Sequence, residues 1–114
     1  MSFSAQLRLR LEHELTAYCR RKEREQAKHG LKYRCRFRAN SVTLIRTEPG
    51  FPGFPGSVDL NVAQMRYGET AKRWSFYCAD RNGKWHHYFD SDPTPDIREL
   101  LRKIDDDPTG IFGS

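Results

Sequence analysis

Residues 31–38, LKYRCRFR, alternate without a fault: Leu31, Tyr33, Cys35 and Phe37 are apolar, and Lys32, Arg34, Arg36 and Arg38 are cationic. A β-strand sends successive side chains to opposite faces, so the segment sets an apolar face against four positive charges about 7 Å apart. A strand of this kind belongs in a sheet that is covered on one side and open on the other.

The chain on either side fits that reading. Upstream, Phe3, Leu7, Leu11, Leu15 and Tyr18 step by threes and fours, which draws one apolar stripe on a helix. Ser2 or Ser4 can cap it, because a serine oxygen satisfies an N–H of the first turn. After Cys19 the pattern RRKEREQAKHG (20–30) is almost wholly polar and predicts a solvent-exposed rod, stopped at Gly30 by a left-handed residue.

Downstream, Ala39, Asn40 and Ser41 make a tight turn into a second strand, VTLIRT (42–47). EPGFPGFPGS (48–57) holds three Pro and three Gly, and a proline offers no N–H to a ladder, so it reads as a loop. Its Phe51 and Phe54 are expected to tuck back on the core. VDLNVAQMRY (58–67) changes phase between Val62 and Ala63, which one β-bulge would reconcile. GETAK (68–72) turns the chain into RWSFYCAD (73–80), and RNGK (81–84) closes a hairpin onto KWHHYFD (84–90). Thr94 as cap, Pro95, and the stripe Ile97, Leu100, Leu101 and Ile104 define a short second helix. In the closing DDDPTGIFGS (105–114), Ile111 and Phe112 are positioned as a hydrophobic latch.

The expected architecture is α+β: an N-terminal helix, an antiparallel meander of about five strands and a short C-terminal helix, in two layers. At 114 residues it is read as one domain, 1–114. Charged residues at 31% and a mean hydropathy of -0.84 leave room for only a modest core, and no apolar run approaches the ~18 residues of a membrane span. The N-terminal pattern carries charges among its apolar residues and does not read as a signal peptide. Three cysteines without CxxC spacing point to reduced thiols, small buried apolar residues of a cytoplasmic protein.

The net charge of +5 is unevenly spread. Residues 1–38 hold eleven Lys/Arg against four Asp/Glu, while residues 90–107 hold seven acids against three bases. A basic first third implies a polyanionic partner or an internal contact with the acidic tail.

The Asn82-Gly83 hairpin decides what joins the basic strand on the open face. A two-residue turn pairs Asp80 with Trp85 and gathers Trp74, Phe76, Cys78, Trp85, His87 and Phe89 inside. Arg73, Ser75, Tyr77, Lys84, His86 and Tyr88 then face outward. A type I turn with a bulge at Gly83 is the competing register, because Asp80 suits the first turn position. It would bring His86 and Tyr88 beside Trp74 and Phe76. The two-residue turn is the expectation, since it buries the more coherent apolar surface.

On that register the open face carries Lys32, Arg34, Arg36, Arg38, Arg73, Lys84 and His86 together with Tyr77 and Tyr88. Cations neutralise phosphates and release counterions, and aromatic rings offer stacking surfaces to unpaired bases. These residues are the candidate interface for single-stranded RNA or DNA. Strand cations also discourage edge-to-edge pairing, so the same pattern serves solubility.

Little else carries chemistry. His86 and His87 point to opposite faces of a strand and cannot share a metal, and His13 and His29 are sixteen apart. No metal and no cofactor are expected, and a binding module is favoured over an enzyme. One catalytic scheme survives, a metal-independent ribonuclease of toxin type. His86 would act as acid or base, Tyr77 or Tyr88 would hold the base, and Arg73 would steady the phosphorane.

The segments RWSFYCADRNGKWHHY, LKYRCRFRANSVTLIRTEP and IRELLRKIDDDPTGIFG, with a first helix of suitable length, resemble a bacterial domain-of-unknown-function family. Its members look like a helix, an RxxxxSVxLxxxRP-like strand pair, a WxLYWxRxDGKWHRY-like hairpin and a DPxGCFxG-like tail. The matching positions are Ser41, Val42, Trp74, Tyr77, Gly83, Lys84, Trp85, His86, Tyr88, Asp107, Pro108, Gly110, Phe112 and Gly113. TEPGFPGFPGS replaces a longer tryptophan-bearing loop, and Ile111 stands where a cysteine is usual. The resemblance spans about residues 5–113 and implies the fold, with no activity attached.

The expected function is therefore a single-stranded nucleic-acid binding or regulatory module, monomeric or weakly dimeric and without a membrane partner. Docking on an acidic protein, as a phage or host-defence accessory, is the alternative, since both need cations.

Overall fold

The computed structural model describes residues 3–50, 53, 56–88 and 92–107. Helix α1 spans Ala5–Glu25 and helix α2 Ile97–Asp106, on either side of five strands: β1 (Lys32–Arg38), β2 (Ser41–Pro49), β3 (Ser57–Gly68), β4 (Arg73–Ala79) and β5 (Trp85–His87). The strands form one antiparallel sheet in the order β1-β2-β3-β4-β5, a meander. This is the α+β architecture that the sequence predicts.

The alternation of β1 is realised as read. Tyr33 is buried and Cys35 and Phe37 are partly buried on one face, while Lys32, Arg34, Arg36 and Arg38 are exposed on the other. The covered face continues through Val42 and Leu44, which pair with Met65 and Ala63, and then through Phe76 and Trp74, which pair with Met65 and Tyr67. Leu11, Leu15 and Tyr18 of α1 and Ile97, Leu100, Leu101 and Ile104 of α2 close over it. Val42, Leu44, Met65, Phe76 and Leu100 are fully buried, so the core sits between the helices and this one face. An aromatic cluster seals one end: Trp74 lies 5.0 Å from Tyr67 and 5.6 Å from Phe3 between ring centroids.

The bulge also falls where the phase change places it. Leu44 pairs with Ala63 and Ile45 with Asn61, so Val62 is the extra residue. Ser4 caps α1, its hydroxyl accepting from the Leu7 N–H at 3.2 Å.

Three expectations need correction. The second half of α1 is exposed for the most part but stops short: the helix ends at Glu25 and a short 3-10 turn covers Ala27–His29, while Gly30 takes the expected left-handed φ of 68°. Within that half Lys22 is only 4% exposed. Its stem is buried, and its ammonium lies 3.4 Å from Asp105 Oδ1. Asp105 also accepts from the Tyr18 hydroxyl at 3.0 Å and from Arg21 at 2.7 Å, which fastens α2 to α1. The cap of α2 is Asp96, which accepts from the Arg98 N–H; Thr94 lies two residues earlier and bridges to Trp74.

The third correction concerns the hairpin. Ala79 pairs with Trp85, Cys78 with His86 and Tyr77 with His87, the register of the turn with a bulge at Gly83. Asp80 decides it. Its carboxylate accepts from the Asn82 and Lys84 N–H groups at 2.8 and 2.9 Å, and its carbonyl accepts from Gly83, which takes φ 82°. That φ is cheap only for a residue without a side chain. The shift by one residue exchanges the faces of Trp85 through Tyr88.

The expected tucking of Phe51 and Phe54, the inward placement of Phe89 and the latch of Ile111 and Phe112 lie outside the described residues.

Candidate nucleic-acid interface

Among the described strand residues six cations share the open face: Lys32, Arg34, Arg36 and Arg38 from β1, Arg66 from β3 and Arg73 from β4. Asp59 is the one carboxylate among the strand residues of this face. It is already engaged: Arg34 reaches across β2 to its Oδ2 at 2.8 Å, and the Thr47 hydroxyl donates to Oδ1 at 2.7 Å. The Thr47 hydroxyl, with Arg34, holds the Asp59 carboxyl below the usual carboxylate range. Among the described residues Lys32, Arg36, Arg38 and Arg73 make no ion pair, so their charge is available to a partner.

The surface beneath these charges is solid. Thr43 and Ile45 point to the open face yet are only 4% and 2% exposed. By register Arg34 and Asn61 flank Ile45, and long cationic stems cover such apolar floors while their heads stay in water. Gln64 donates to the Thr43 hydroxyl at 3.0 Å and accepts from Arg66 Nε at 2.7 Å. That bond aims the Arg66 guanidinium over the Tyr77 ring, 3.8 Å from its centroid. His87 meets the same ring edge-on at 5.4 Å, and Trp85 stands half-buried beside Ala79. Cations at one edge thus lead, about three strand spacings or 14 Å away, to an aromatic group.

The hairpin register divides the predicted site. Lys32, Arg34, Arg36, Arg38, Arg73 and Tyr77 lie together on the open face. Lys84 is exposed in the turn segment before β5. Tyr88 is not on this face: it is 3% exposed, its N–H donates to the Phe76 carbonyl at 2.8 Å, and its ring packs on Phe76 at 5.4 Å. His86 pairs with Cys78, whose side chain belongs to the covered face, and its Nε2 lies 2.7 Å from Asp80 Oδ2. With the two backbone N–H groups, this imidazole holds the Asp80 carboxyl below its ordinary range. His86 therefore braces the turn.

The proposed catalytic set of His86, Arg73 and Tyr88 is accordingly not brought together. Arg73 faces the open side, His86 belongs to the other side, and Tyr88 is in the core. Arg66, Trp85 and His87 take their places on the open face. Arg66 was readable, because the bulge puts it opposite Met65; Trp85 and His87 follow only from the observed turn.

A family model, described as a domain of unknown function (DUF3024), matches residues 3–114. The chain belongs to that family. No curated protein and no solved structure matches the chain. DUF3024 carries no activity in its description, so function is argued from the face itself. Among the described residues, no helix is long and apolar enough to cross a membrane.

Proposed function

We propose that the open face of the sheet binds single-stranded nucleic acid. The observation that carries this reading is the composition of one rigid face: six cations, one carboxylate already paired, and an aromatic group around Tyr77. Lys32, Arg36, Arg38 and Arg73 supply phosphate contacts, whose strength comes from counterion release. Tyr77, Trp85 and the guanidinium plane of Arg66 supply surfaces for unpaired bases, which duplexes keep stacked inside. Contacts of these kinds give affinity with little sequence preference.

Fluorescence anisotropy tests the reading, using a labelled unstructured oligonucleotide, its duplex and an acidic protein as control. Single strands should bind more tightly than duplex, and binding should weaken steeply with salt. Binding of the acidic protein while both nucleic acids are ignored at low salt would overturn it in favour of a protein-docking face.

A further inference from the structure

A second cluster lies away from the open face, between α1 and the edge strand. Cys19 of α1 and Cys35 of β1 bring their sulfurs to 3.7 Å. Both are free thiols, and both line a groove of about 600 Å³ whose walls include Arg8, Glu12, Arg20 and Glu23. Cys19 is 7% exposed and Cys35 half-buried, so the groove is their path to solvent. Cys78, on β4, instead contacts the His86 carbonyl at 3.7 Å.

We propose that Cys19 and Cys35 form a reversible disulfide that pins α1 to β1, with a low-molecular-weight disulfide of the glutathione class as oxidant. The sulfurs must close by about 1.7 Å to reach the ~2.05 Å of an S–S bond, a movement within side-chain rotation and a small shift of the helix. The two thiols are inequivalent. The hydrogen bond shared with Cys35 holds Cys19 below the ordinary thiol range against the opposing effect of burial, and the same bond and burial push Cys35 far above it. The exchange can begin at Cys19; the mirror order, with Cys35 first, closes the same disulfide.

The chemistry balances in two exchanges. The Cys19 thiolate attacks one sulfur of the small disulfide, forming a mixed disulfide and expelling one small thiolate. Cys35 then loses its proton and attacks the Cys19 sulfur, expelling the second. Two protein thiols are oxidised, and one small disulfide is reduced to two thiols. The bond closes a loop between residues sixteen apart, which restricts the unfolded chain, so the oxidised form should melt about 10 °C higher. The inference does not rest on nucleic-acid binding, because the thiols belong to the covered face, although Arg34 of the open face also borders the groove.

The test equilibrates the full chain with glutathione and its disulfide at varied ratios, quenches with acid, alkylates and measures mass. The expected product has lost about 2 Da, carries alkylation on Cys78 alone and yields a Cys19–Cys35 crosslinked peptide. Cys35→Ser and Cys19→Ser should each stop at a mixed disulfide on the remaining thiol of the pair and give no crosslinked peptide. If either serine variant misfolds, the unmodified chain still decides through its crosslinked peptide and its melting temperature. Three thiols that modify independently, with no such crosslink in excess oxidised glutathione, would overturn the proposal.

Discussion

The guanidinium carbon of Arg66 lies 3.8 Å over the centroid of the Tyr77 ring. The two residues sit on adjacent strands, and Gln64 holds the arginine from the side. A cation fixed against a ring face this way adds electrostatic attraction, and an arginine plane is itself a surface on which a base can stack.

Tyr77→Ala should therefore reduce affinity for single strands by about 1–3 kcal/mol, and affinity for duplex by much less. Arg66→Ala should move both in the same directions. Anisotropy with matched single and double strands checks this, and equal losses on the two would place Tyr77 outside base contact.

The hairpin register makes a separate prediction. Tyr88→Ala and Trp74→Ala each empty a buried site, at 3% and 2% exposure, and should cost about 3–5 kcal/mol in chemical denaturation. Trp85→Ala, on the half-buried open side, should cost distinctly less and weaken single-strand binding instead. An unchanged midpoint for Tyr88→Ala would contradict the register.

Asp105 predicts a pH dependence. Burial alone would raise its pKa, but hydrogen bonds from Arg21 and Tyr18 and the charges of Arg21 and Lys22 hold it below the usual range. Its folded value is depressed, so its contribution is complete above the unfolded carboxylate pKa of about 3.9 and is lost as pH falls through the lower folded value. Asp105→Asn should melt below wild type at neutral pH, and the gap should narrow under acid. Parallel melting curves across the acid range would remove Asp105 from the α1–α2 contact.

Asp59 should restrain binding. Asp59→Asn removes the open face's one strand carboxylate and frees Arg34, so single-strand affinity should rise and the salt slope should steepen by about 0.7. Titration at several salt concentrations reads both, and weaker binding would mean that Asp59 orders the face usefully.

What the sequence made legible followed from period. The alternation of Leu31–Arg38, the threes and fours of Leu11, Leu15 and Tyr18, and the phase change at Val62 each encode local geometry that packing then obeys. The hairpin was different, because Asn82-Gly83 serves two turns with opposite faces, and the choice rests on the Asp80 carboxylate and its bonds to Asn82, Lys84 and His86. Lys22 was misread, and the Asp59 partner of Arg34 went unseen, for a related reason: Asp105 and Asp59 lie far along the chain, and neither pairing leaves a periodic trace. The four cations of β1 were visible as residues, but not which of them stay free.

That last distinction supplies the most direct test. Arg36 and Arg38 are exposed and make no ion pair among the described residues, so Arg36→Ser/Arg38→Ser removes charge without orphaning a partner. The measurement is the slope of log affinity against log salt for a single-stranded oligonucleotide, wild type beside variant. The account predicts tight low-salt binding by wild type, a slope shallower by about 1.4 in the variant, and an unchanged melting temperature. Identical slopes, or a wild-type protein that ignores RNA and DNA at low salt, would contradict it.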